Sequence, residues 1–143
     1  FIENSRRNME RMIELARSEH IIVEPADFPY PLRGIYIDDG KMKLIGIAKD
    51  IDTLAERRSV LAEELGHHFT SVGNATICHC YADRISIDKT EHKAMVWACR
   101  YLVPEHDLDK AVQIGHVSLS DLAEYFTVTE RFMAFCIKLY KGD

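Results

Sequence analysis

The stretch from Thr53 to Gly73 constrains the fold more than any other, because its local signals specify a long helix that carries most of the reactive side chains. Thr53 and Glu56 have the spacing of a capping box, in which a hydroxyl and a carboxylate can each satisfy the other's unbonded backbone N–H. The pattern predicts a helix from about residue 54 to 71, with Leu54, Leu61, Leu65 and Phe69 as its apolar stripe. Gly73 is placed to end it in a left-handed turn.

Inside that helix, residues 61–69 read L-A-E-E-L-G-H-H-F. Residues four apart project side by side and can share one metal ion, which makes Glu63 and His67 a candidate ligand pair. Glu64 then points toward a water on that ion, in the layout of the H-E-x-x-H helix of zinc hydrolases, with Glu63 where the first histidine stands. The same spacing also describes a solvated Glu–His contact. At about 100° per residue Glu63 lies roughly opposite the leucine stripe, on a face open to water or to substrate. His68 forms a second four-residue pair, with Glu64, which leaves a register shifted by one open.

Residues 6–18 have helical spacing, Ile21-Ile22-Val23 reads as a short strand, and Pro25, Pro29 and Pro31 are expected to break regular structure. Arg33–Ile37 and Lys41–Ala48 flank Asp38-Asp39-Gly40 as a β-hairpin. A second helix is predicted over about 88–103, capped by Asp88 and stopped by Pro104. Its Glu91 shares a face with Ala94, Met95, Ala98 and Leu102. A carboxylate buried on an apolar stripe needs a cation, hydrogen bonds or a proton, so Glu91 is a candidate third ligand. The alternative places it in the first turn, favoured by the helix dipole and facing water.

Residues 105–143 read as a helical lobe, with Ser118 or Ser120 and then Thr129 as caps before Leu119–Phe126 and Glu130–Tyr140. The pair resembles a helix-turn-helix, the signature of a DNA-binding regulator. Against that reading, Glu130–Leu139 is mostly apolar and offers few groups to bases or phosphates.

At 143 residues and 47% hydrophobic content the chain can bury one core without disulfide or metal, and no apolar run is long enough to span a membrane. A net charge of −5 provides no overall field for a phosphate backbone. Phe1–Arg7 lacks the apolar run of a secretory signal, and Cys78, Cys80, Cys99 and Cys136 are therefore read as reduced thiols, the last two as packing residues. Cys78-His79-Cys80 has no second Cys/His pair to complete a structural zinc site and is assigned to a loop or strand near the cleft. His20, His92, His106 and His116 are expected at the surface.

From Arg33-Gly34-Ile35-Tyr36, through Arg57 to Gly73, to Trp97-Ala98 and Leu102-Val103-Pro104, the sequence resembles the ImmA/IrrE family of metallopeptidases. Its most specific parts are the E-L-G-H-H block at 64–68 and the series Glu91, Ala94, Ala98, Leu102, Pro104. The resemblance implies an α+β, zincin-like metallopeptidase domain with a small antiparallel sheet, an active-site helix and a helical C-terminal lobe. One domain over 1–143 is expected, with its core in 1–104 and the lobe in 105–143.

The implied activity is zinc-dependent endoproteolysis in the bacterial cytoplasm, directed at a protein substrate, a helix-turn-helix repressor of a phage or mobile element. Neither direct nucleic-acid binding nor a membrane is expected. Carried over by position, Glu63, His67 and Glu91 would be metal ligands and Glu64 the general base. Two oxygen donors and one imidazole allow zinc but move the site toward manganese or iron(II). Tyr36, His68 and His79 are available as oxyanion donors, and His68 is also read as a hydrogen-bonding residue behind the ligands. Two rival functions are a catalytically degenerate protein that binds its repressor uncut, and a DNA-binding regulator.

Overall fold

Four strands form one sheet in the order β1-β3-β2-β4, and six helices complete an α+β architecture. The computed structural model describes residues 2–71, 76–82 and 86–142, so Gly73 lies outside the described residues. In chain order the elements are α1 (Ile2–Ser18), β1 (Ile21–Ala26), β2 (Leu32–Asp38), β3 (Lys43–Ala48), α2 (Leu54–Thr70), β4 (Thr76–Tyr81), α3 (Lys89–Leu102), α4 (Glu105–Gln113), α5 (Leu119–Phe126) and α6 (Glu130–Lys141).

The predicted hairpin is β2–β3, antiparallel with Tyr36 opposite Ile45. Asp39 tightens its turn by accepting the N–H groups of Lys41 and Met42 at 2.9 and 2.7 Å, and Gly40 takes the positive φ of 85° that an L side chain disfavours. β4 pairs antiparallel with β2, and β1 runs parallel to β3. The sheet is thus mixed, where a purely antiparallel one was expected. The cause is topological: segment 27–31 leaves a gap between β1 and β2, and β3, folding back from β2, fills that gap parallel to β1. Pro25 does not break β1, because an edge strand tolerates a residue without an N–H.

α2 crosses this sheet and meets α3 on its other side. Thr53 caps it by accepting the Glu56 N–H at 3.2 Å, but the Glu56 carboxylate turns to Arg33, 3.5 Å away, so half of the expected box is made. Asp88 caps α3 by accepting the Glu91 N–H at 2.8 Å. Where α2 and α3 cross, a Cβ on Gly66 would stand 2.2 Å from the Ala94 carbonyl oxygen, a contact that only glycine permits. Every residue from Arg58 to His67 is buried, so the leucine stripe understates how completely α2 is enclosed; Phe69, assigned to that stripe, is exposed.

Ser118 and Thr129 cap α5 and α6 as expected, accepting the N–H groups of Asp121 and Phe132. Buried Arg58 donates from Nη1 to the carbonyls of Phe126 and Thr127, and the Thr129 N–H donates to Ser59 Oγ at 3.2 Å. The turn of the helix-turn-helix pair is therefore fastened to α2. Phe132, Met133 and Cys136 of α6 share one buried cluster with Leu61, Leu65 and Leu102. All four cysteines are buried with free thiols, and His20, His92 and His106 are exposed as expected, with His116 half-buried. Among the described residues no helix is long and apolar enough to cross a membrane.

Candidate active site

Enclosure of α2 turns its polar residues into a buried cluster. Glu64 and His67 are 0% exposed, and Glu63 and Glu91 are 3% exposed, so the solvated reading of Glu63 and the water-facing reading of Glu91 do not hold. The close helix crossing at Gly66 brings His67 Nε2 to 2.8 Å from Glu91 Oε1, a pairing across 24 positions of sequence. Both residues line an open cleft of about 400 Å³, whose other walls include Ile77, Cys78, His79, Tyr81 and Asp88.

Glu64 sits over β2 because Gly34 has no side chain. A Cβ there would lie 2.8 Å from Glu64 Oε2 and 2.7 Å from Val60 Cγ1. Neither Glu64 oxygen has a hydrogen-bond partner of normal geometry among the described residues. Glu64, His67 and Cys80 each place a ligating atom within 4.8 Å of the other two, and all three are buried. Glu63 is paired with Arg131, at the start of α6, whose Nη1 lies 3.3 Å from Glu63 Oε1, and it also interacts with Cys80.

His68 does not pair with Glu64. Its Nδ1 is 2.8 Å from the Tyr36 hydroxyl and its Nε2 is 2.8 Å from Glu19 Oε1, so the ring ties α2 to β2 and to the end of α1. Of the three candidate oxyanion donors, His79 lines the cleft, and Tyr36 and His68 do not. Cys80, considered in the sequence only as part of Cys78-His79-Cys80 and assigned to a loop or strand near the cleft, lies on β4 beside it; Arg131 and Glu19 were not singled out from sequence. For Cys80 a signal existed, since C-x-C on a strand puts both thiols on one face, and here Cys78 and Cys80 are buried while Ile77 and Tyr81 are exposed. For Arg131 and Glu19 no local pattern announces the contact.

The electrostatics call for a cation. Burial pushes Glu64 up to about 8, with His67 opposing it, and also raises Glu63, with Arg131 opposing. Burial alone would hold His67 down, but its contacts with Cys78 and Glu91 and the charge of Glu64 carry it up to about 10. An imidazole, a thiol and carboxylates converging in a buried cluster at the edge of an open cleft suit a divalent ion, and the donor set fits.

These shifts have one sign. Glu64 in the metal-free fold holds a proton that the unfolded chain releases above its usual 4.5, so stability falls as pH rises from there through about 8. His67 adds stability that is complete below 6.5 and is lost as pH rises through about 10. Metal-free protein is therefore expected to resist urea better at about pH 5 than at about pH 9, with a smaller difference in Glu64→Gln. Equal or greater stability at the higher pH would show that the cluster is not shifted in this way.

The family model Peptidase_M78, described as the IrrE N-terminal-like domain, matches residues 21–138. No curated protein sequence matches the chain.

Proposed function

The chain belongs to the IrrE N-terminal-like peptidase family, and from that premise we propose that it is a metal-dependent endopeptidase acting on one specific cytoplasmic protein, a helix-turn-helix repressor of a phage or mobile element. The observation that carries the reading is the 2.8 Å contact of His67 with Glu91 in an open cleft, close to the unsatisfied carboxylate of Glu64.

His67 and Glu91 would hold the ion together with a third donor from α2 or β4. Zinc is the expected metal, with manganese or iron(II) as the other candidates. When bound, the ion supplies Lewis acidity, polarising the scissile carbonyl and making water easier to deprotonate. Glu64 accepts the proton of the attacking water and delivers it to the departing amine as the peptide C–N bond breaks. Of the three donors expected from sequence, His79 lines the cleft and would steady a developing oxyanion.

A protein substrate fits the architecture. β4 is an edge strand, and its residues Ile77, His79 and Tyr81 line the cleft, so an extended segment can add to the sheet through main-chain hydrogen bonds. Tyr36 and His68 act behind α2, holding it against the sheet.

The test is incubation of zinc-loaded protein with a helix-turn-helix repressor from the same genetic element. Discrete fragments with a defined new N-terminus by mass spectrometry, stopped by a chelator and restored by zinc, are expected. No cleavage with zinc, manganese or iron(II) would overturn the proposal and leave a protein that binds its partner uncut.

A further inference from the structure

We propose that Cys80 is the third protein donor to the ion, with Glu63 serving as the partner of Arg131 instead of as a ligand. The inference rests on the metallopeptidase reading above and names the donor set of that same site.

Two separate observations support it. The group of three ligating side chains that converges among the described residues contains Cys80 with His67 and Glu64; Glu63 and Glu91 lie outside it, and Glu91 is joined to it by its 2.8 Å contact with His67. Glu63 is paired with the Arg131 guanidinium at 3.3 Å and lines, with Cys80, Ser59, Thr129 and Arg131, a smaller cavity of about 160 Å³, so Cys80 stands between Glu63 and the ion site. A carboxylate already answered by a guanidinium has less to gain from an ion.

The backbone explains why the thiol takes this place. Cys80 pairs with Gly34 in the β2–β4 register, and the missing side chain at Gly34 leaves the space over the sheet in which Glu64 meets the Cys80 side chain. The position that commonly holds histidine on this helix is Glu63, so a soft donor is absent from α2 and is supplied by the neighbouring strand. Thiolate, imidazole and carboxylate together favour zinc, or iron(II), over manganese. Glu64 keeps its role as proton acceptor, and binding of the ion deprotonates the thiol.

Cobalt(II) reports the donor directly, because a thiolate bound to it produces a sulfur-to-metal charge-transfer band in the near ultraviolet. Metal-free wild-type protein titrated with cobalt should bind about one equivalent and show that band. Cys80→Ser should lose it and weaken zinc binding by at least about 100-fold, while Cys78→Ser and Glu63→Gln retain it. If Cys80→Ser fails to fold, a wild-type band that survives Cys78→Ser assigns the thiolate to Cys80, because Cys78, which lines the cleft, is the other thiol of β4, and a band lost in Cys78→Ser overturns the assignment. Cobalt bound without the band, or a band that survives Cys80→Ser, overturns Cys80 as a ligand and leaves the metallopeptidase reading intact. Failure to bind any cobalt overturns both.

Discussion

Glu64→Gln is expected to lower peptide hydrolysis by about 10²–10⁴-fold while leaving the fold and the metal content of the protein unchanged. The amide is nearly the same size as the carboxylate and fills the same space above Gly34, where there is no room for a larger group. It cannot take a proton from water, and that is the step assigned to Glu64. Because burial already holds a proton on this carboxyl in the metal-free fold up to about pH 8, the neutral amide should leave the stability of that fold near neutral pH little changed. Two readings are needed: cleavage rate of the repressor, and metal per chain by elemental analysis. A variant that keeps its metal and cleaves within about tenfold of wild type would remove Glu64 from the mechanism.

Gly66→Ala should have the largest effect on stability. Its Cβ would stand 2.2 Å from the Ala94 carbonyl oxygen and 2.9 Å from that carbonyl carbon. The obstacle is backbone on both sides, so no rotamer change relieves it, and α2 and α3 must separate. A cost of about 3 kcal/mol or more is expected, seen as a fall of roughly 10 °C in Tm. Ala94→Gly should not rescue it, because the clash is with the main chain. The helix crossing also brings His67, the next residue on α2, to Glu91, three residues before Ala94 on α3, so metal affinity should fall together with stability. A Gly66→Ala protein with unchanged Tm would show that the helices have slack at this crossing.

Much of the scaffold was legible because its determinants lie within a few residues of one another. Thr53, Asp88, Ser118 and Thr129 each accept a backbone N–H three residues ahead, and the Asp39 side chain shapes its own turn. The candidate site was legible in part. The E-E-x-x-H spacing and the carboxylate on the apolar face of α3 marked Glu63, Glu64, His67 and Glu91, and the resemblance of whole segments pointed to the peptidase family that the family model matches.

What periodicity could not reveal was how many sides of α2 would be covered. A helical wheel identifies one apolar face, whereas here the sheet, α3 and the start of α6 together enclose Arg58 through His67. That enclosure, not the spacing, separates a surface Glu–His contact from a dry cluster with shifted proton affinities. The other decisions of the tertiary structure are also long-range. Arg131 reaches Glu63 across 68 positions, Glu19 meets His68 across 49, and β1 finds a parallel neighbour because β3 fills the gap beside it. The sequence by itself determined the capped helices, the hairpin and the identity of the reactive residues, since these depend on neighbouring groups. The tertiary structure alone decided which of those residues are desolvated and which share a site, because burial and charge pairing depend on segments distant in the chain.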